Sequence, residues 1–267
     1  MADILFTVEN HIARLTMNRP DSLNAFSGEM IRLWIEALEE VRDNDDIYVL
    51  LLSGNGRAFN AGGDVKVMAE GKGAFQCDED IISTALARKN SLWTWIQRIP
   101  LLMQEIDKPT VAKIHGPAMG AGLDMALMCD IRIASDTAKM GESYLNAGLV
   151  PGDGGAYFLP RIVGTDKALD MFWNARVVTG REAKEMGLVT FSVPPEELDQ
   201  FTEDYVAQLA ARPQQAVRFT KRAVMQSEKV DLRTSLDMIS SAMGIVMELD
   251  EHRVCVEKIL ERMGKKK

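Results

Sequence analysis

The stretch Thr110-Val111-Ala112-Lys113-Ile114-His115-Gly116-Pro117-Ala118-Met119-Gly120-Ala121-Gly122-Leu123-Asp124-Met125-Ala126-Leu127-Met128-Cys129-Asp130 decides the fold. Thr110–Ile114 reads as a strand. Residues 116–122 form a glycine-rich turn, 123–128 carry a helical pattern, and 131–134 read as the next strand. Strand, turn, helix and strand in so short a span indicate a layered α/β fold.

Upstream the same grammar recurs. Residues 4–8 and Ile12–Met17 are apolar runs separated by Glu9-Asn10, and they predict a hairpin. Ser27 fits a helix N-cap, and Ile31, Trp34, Ile35, Leu38 and Val41 follow at helical spacing. Residues 48–52 form a continuous apolar run, as expected of a strand buried on both faces. A second glycine-rich turn lies at Ala61-Gly62-Gly63-Asp64. Downstream, from Pro194 and Pro195 onward, residues 196–211, 213–228 and 232–262 are helical by periodicity. The expected organisation is a core over 1–194 and a helical C-terminal region over 195–267, with Lys265-Lys266-Lys267 as a frayed tail.

The chain has 267 residues, 46% hydrophobic and 26% charged, with a formal net charge of −8. That length suits one large α/β domain. The acidic balance gives no support to nucleic acid or an anionic membrane as partner. Cys77, Cys129 and Cys255 show no CxxC spacing, so reduced thiols in a cytoplasmic compartment are expected. His11, His115 and His252 are scattered, and no metal site is expected. The start lacks a signal-peptide pattern, and no apolar run is long enough to span a membrane.

Each glycine-rich turn lets backbone N–H groups approach a ligand closely, although a tight turn alone also needs glycine. Gly120-Ala121-Gly122 lacks the third glycine of a dinucleotide-binding turn, and no GK[ST] or GxSxG is present. A P-loop and a hydrolase elbow are therefore excluded.

Together the segments resemble the enoyl-CoA hydratase/isomerase, or crotonase, family. Phe59-Asn60-Ala61-Gly62-Gly63-Asp64-Val65-Lys66 is similar to its F-x-A-G-x-D-x-K. The stretch from Gly116 to Asp130 is similar to its G-x-x-x-G-G-G-x-E-L-A-x-x-C-D. Gly148-Leu149-Val150-Pro151-Gly152-Asp153-Gly154-Gly155 resembles its G-x-x-P-x-x-G-G. Asn18-Arg19-Pro20 with Leu23-Asn24-Ala25, and Ala183-Lys184-Glu185-Met186-Gly187-Leu188, follow the family's opening and its late motif.

The resemblance implies a spiral of ββα units with a helical C-terminal region, assembled as a homotrimer or a hexamer of paired trimers. It implies an acyl-CoA thioester as substrate, with no cofactor besides the coenzyme A it carries. The Gly63 and Ala121 N–H groups would form an oxyanion hole, where one such donor is typically worth about 3 kcal/mol. Ala25, Ala61, Asp64 and Lys66 would lie along the CoA. Lys66 alone reads equally as a solvated lysine.

The chain departs from the family at both catalytic glutamates. Asp124 replaces the first with a carboxylate one methylene shorter. Tyr144 replaces the second with a phenol, a poor base but a competent donor. Asp153 is a further candidate for the second carboxylate, or else a cap on the helix starting near Gly154. Glu142 would share a face with Tyr144 on an extended segment. His115 reads first as a packed structural histidine. Trp93, Ile96, Met103 and Ile106 hint at a bulky acyl group, on a helix that Pro100 should kink or break. Met119, Met125 and Met128 read as core filler or as a pliable pocket.

Two enzymatic expectations stand: hydration of an α,β-unsaturated acyl-CoA, or double-bond isomerisation with one carboxylate as shuttle. A non-catalytic CoA-binding or RNA-binding homologue is the third.

Overall fold

The computed structural model describes residues 2–69 and 84–264. Cys77 and the Lys265-Lys266-Lys267 tail lie outside these residues. The chain begins with β1 (Ile4–Glu9) and β2 (Ile12–Met17), the expected hairpin. Its loop residues are Asn10 and His11, both at positive φ, so the turn sits one residue later than the Glu9-Asn10 reading. Next come α1 (Gly28–Asp43), β3 (Val49–Gly54), α2 (Val65–Ala69), α3 (Ala85–Thr94) and α4 (Arg98–Glu105). The Ser27 hydroxyl accepts the Met30 N–H at 3.0 Å, the predicted cap of α1, worth about 1 kcal/mol. The helical run around Pro100 is broken at residues 95–97. Pro100 then sits in the first turn of α4, where its missing N–H costs nothing.

β4 (Thr110–Ile114), β5 (Ala118–Met119), α5 (Ala121–Leu127), β6 (Ile131–Ser135) and β7 (Lys139–Gly141) follow. Then come α6 (Gly155–Val163), α7 (Thr165–Trp173), β8 (Val177–Thr179), α8 (Gly180–Met186) and β9 (Phe191–Val193). One sheet has the order β1-β2-β3-β4-β6-β9 and is parallel beyond the hairpin. A second, of three short strands, has the order β5-β7-β8. The chain is thus the α/β spiral expected, with a helical C-terminal region.

The alternation along β3 shows why its whole run is apolar. Leu50 and Leu52 join the large core under α1, α4 and α5, whereas Val49 and Leu51 face a second cluster on the other side. α9 (Leu198–Ala210) closes that side with Leu198 and Val206, so the first C-terminal helix packs directly on the sheet. α10 (Gln214–Ser227) follows. The single helix expected over 232–262 is two, α11 (Leu232–Met247) and α12 (Asp250–Gly264). Their junction at Glu248-Leu249 carries no glycine or proline to announce it.

Candidate active site

The two glycine-rich turns, about sixty residues apart in sequence, are stapled together by Asn60. Its N–H donates to the Pro117 carbonyl at 3.1 Å, and its own carbonyl accepts the Met119 N–H at 3.0 Å. Its side-chain Oδ1 accepts the Gly62 N–H at 2.6 Å. Gly62 must be glycine, because its φ is +86° and a Cβ there would stand 2.7 Å from the Met119 carbonyl oxygen. This approach brings the Gly62-Gly63 backbone against the start of α5. Ala121 is the first residue of that helix, so its N–H has no intrahelical acceptor. Among the described residues, neither the Gly63 nor the Ala121 N–H makes a hydrogen bond. Both residues line a cavity of about 570 Å³.

The cavity is mostly apolar, with Val65, Met68, Leu92, Met119, Leu149 and Val150 on its walls. That size and lining suit a small organic group held by a few polar contacts. Tyr144 and Asp153 supply the polar wall on the side of α5. Tyr144 begins a 3-10 turn after β7, and Asp153 ends the loop before α6. The Gln97 side chain donates to the Gly152 carbonyl at 2.7 Å and pins that loop. Nothing in the sequence signalled this contact, which joins positions 55 residues apart.

Behind Tyr144 lies a cluster of carboxyl groups. Asp124, Glu142 and Asp153 are all fully buried. The Tyr144 hydroxyl stands 2.5 Å from Asp124 Oδ2 and 2.9 Å from Asp153 Oδ2. A phenol carries one proton and can donate to only one of them, so the other carboxyl must donate to it. The electrostatics say which. Burial pushes Asp153 up to about 8, and the negative charge of Asp124 adds to the effect. Burial also raises Asp124, to about 6, but donors from Tyr144, Glu142 and the Gly155 backbone restrain the rise. Burial and its acidic neighbours hold the Tyr144 phenol well above its usual range. At neutral pH the chain therefore runs from a protonated Asp153, through the Tyr144 hydroxyl, to an ionised Asp124. Two acids in one site kept in opposite states form an acid–base pair.

Asp124 itself does not line the cavity and meets it only through Tyr144. Gly155 packs against it so closely that a Cβ there would stand 2.2 Å from Asp124 Oδ1. Asp153 is not a helix cap, since the α6 N-cap is Gly154 and no side chain caps it. Ala61 lines the cavity, but Ala25, Asp64 and Lys66 do not. The Ala25 carbonyl accepts from Arg19, and Asp64 accepts the Lys66 N–H and pairs with Arg19 at 3.8 Å. Lys66 is exposed.

The His115 Nε2–H donates to the Gly56 carbonyl, and burial lowers its pKa, so it is a neutral structural histidine. Ile96, Met103 and Ile106 belong to the core, and Trp93 is exposed. α3 instead offers Leu92, Ser91 and Arg88 to the cavity. Met119 faces the cavity while Met125 and Met128 fill the core.

A spiral α/β core with a helical C-terminal region and a cavity under two apposed glycine turns defines a crotonase-type protein. Residues 7–263 match the enoyl-CoA hydratase/isomerase family, and the chain belongs to it. It is 35% identical to YngF of Bacillus subtilis, whose name places it in the same family, over 97% of this chain and 95% of that protein. It is 29% identical to a crotonyl-CoA hydratase of Syntrophomonas wolfei, over 97% and 95% respectively. The crystal structure of an enoyl-CoA hydratase from Bacillus anthracis superposes with a TM-score of 0.87 at 27% identity, covering 97% of this chain and 96% of that one.

Proposed function

We propose that the protein hydrates an α,β-unsaturated acyl-CoA, with Tyr144 bridging an acid and a base in place of two glutamates. The observation that carries this reading is the Asp153–Tyr144–Asp124 chain on the wall of a cavity that also holds two unengaged N–H groups. The thioester oxygen accepts from the Gly63 and Ala121 N–H groups, which stabilise the charge that develops there. A water gives a proton to the Tyr144 oxygen while the Tyr144 proton passes to Asp124, and the hydroxide adds at the β-carbon. Asp153 delivers its proton to the α-carbon, which collapses the enolate. One water has then been added, and Asp124 carries the proton that Asp153 lost. Return of that proton through Tyr144 resets the site.

Neither a metal nor a nicotinamide takes part in this scheme. Ala25, Ala61, Asp64 and Lys66 lie along the CoA in this reading, with Lys66 free to reach a phosphate. A homotrimer or paired trimers, working in the cytoplasm, completes the proposal. Apolar residues exposed on α11 and α12, among them Leu236, Ile245 and Leu260, give such an assembly surface to bury. Among the described residues no helix is long and apolar enough to cross a membrane.

The test is turnover of straight-chain, branched and cyclic enoyl-CoAs in oxygen-18 water. Hydration places the label in a 3-hydroxyacyl product. A shifted double bond without label would replace hydration by isomerisation. No turnover of any substrate would leave a CoA-binding homologue.

A further inference from the structure

The buried end of the carboxyl cluster is not used in the scheme above. Glu142 follows the last residue of β7 and is fully buried. Neither of its carboxyl oxygens meets an N–H or O–H donor among the described residues. Asp124 Oδ1 has no full hydrogen bond either, although the Gly155 backbone approaches that carboxyl, while Oδ2 takes the Tyr144 hydroxyl. The two carboxyls lie within hydrogen-bonding reach of each other. One arrangement satisfies both: Glu142 keeps its proton and gives it to Asp124.

The groups that face Glu142 agree with this. Among the described residues they are Asp124 from α5, Tyr144 from the 3-10 turn and Asp153 from the loop before α6, with no cation among them. Burial first, and then the charge of Asp124, hold the Glu142 carboxyl well above the ordinary range.

We infer that Glu142 is a positioning residue, a neutral acid that donates to Asp124 Oδ1 and so fixes the Asp124–Tyr144–Asp153 chain against the cavity. The catalytic step it serves rests on the hydration reading, but the hydrogen bond does not. With Oδ1 and Oδ2 both occupied, the Asp124 carboxylate has one orientation, and the Tyr144 hydroxyl is held where Asp153 can reach it. Glu142 also helps keep Asp124 ionised, since a donor to a carboxylate lowers its pKa.

Two variants separate this role from simple packing. Glu142→Gln keeps a neutral donor of the same length, whereas Glu142→Leu keeps the bulk and removes the donor. Loss of one charge-assisted hydrogen bond predicts a kcat about tenfold lower in Glu142→Leu, with KM little changed. The acid limb of its pH profile should move to higher pH. Glu142→Gln should stay within about threefold of wild type with its acid limb in place, the spread expected when a donor is conserved. Melting temperatures report whether both variants fold.

A third measurement needs no turnover. The infrared spectrum of the free protein at neutral pH should contain a protonated-carboxyl band that Glu142→Gln removes, beside one that Asp153→Asn removes. If Glu142→Gln is as slow as Glu142→Leu, Glu142 carries the proton itself and the positioning role is overturned. A Glu142→Leu enzyme with wild-type kcat and an unmoved acid limb overturns it as well. Absence of a band assignable to Glu142 overturns the hydrogen bond directly. A wild type that shows the band yet turns over no acyl-CoA sinks the hydration reading and leaves the bond standing.

Discussion

Asp153→Asn should make the protein more stable at alkaline pH while disabling it. Burial raises this acid from 3.8 to about 8, so the folded protein holds a proton that the unfolded chain has already lost over that range. The group's contribution to stability is complete below about pH 4 and disappears as pH rises through about 8. At about 1.4 kcal/mol per pKa unit, the full shift sets a ceiling between about 5 and 6 kcal/mol. Between about pH 5 and about pH 8 that shift removes about 4 kcal/mol of wild-type stability. Asparagine carries no charge at any pH, and its Nδ2 can replace the acid as donor to the Tyr144 oxygen. The variant's melting-temperature advantage over wild type should therefore be about 10 °C larger at about pH 8.5 than at about pH 5. Its kcat should fall about 100-fold, because an amide cannot deliver a proton. Calorimetry at both pH values and a steady-state assay of each protein test this. A melting difference that does not grow with pH, or wild-type turnover in the variant, refutes the assignment of Asp153 as the buried acid.

Asp124→Asn and Tyr144→Phe should each lower kcat about 100-fold, and the double variant should be no slower than either, because both break one chain. Losses that multiply in the double variant would mean that the two act separately. The pH profile of kcat/KM should be bell-shaped, with its acid limb at about 6, where Asp124 gains a proton, and its alkaline limb at about 8, where Asp153 loses one. A profile flat across that range would remove both from the chemistry. Protein treated with EDTA should keep full activity in the same assay; activity that vanishes and returns with a divalent ion would require a different mechanism.

What could be read from sequence was whatever local chemistry encodes. Ser27 caps α1 because a hydroxyl at that spacing can accept the Met30 N–H, and the apolar run of β3 reports burial on both faces. The strands β5, β7 and β8, of two or three residues each, are too short to carry a period, so the second sheet left no trace. The α11–α12 break was invisible for a similar reason, since the helical pattern runs on through Glu248-Leu249. At the site, the residue types were legible and their order in space was not. Asp124 and Tyr144 stand 20 residues apart, and only the fold places the phenol between that aspartate and the cavity. Asp153 could be capping or chemical by pattern alone, and its hydrogen bond with Tyr144 decides against capping.

The contact between Gly155 and Asp124 bears on how this site can change over generations. The aspartate is walled by the missing side chain of Gly155 on one side and by the Tyr144 hydroxyl on the other. A glutamate at position 124 would drive its longer arm into one of those walls. A glutamate at position 144 alone would take away the phenol that joins Asp124 to Asp153 and bring another carboxylate into the acidic cluster. Each single step toward a two-glutamate site thus disturbs the present arrangement. Positions 124 and 144 are therefore expected to change together rather than singly.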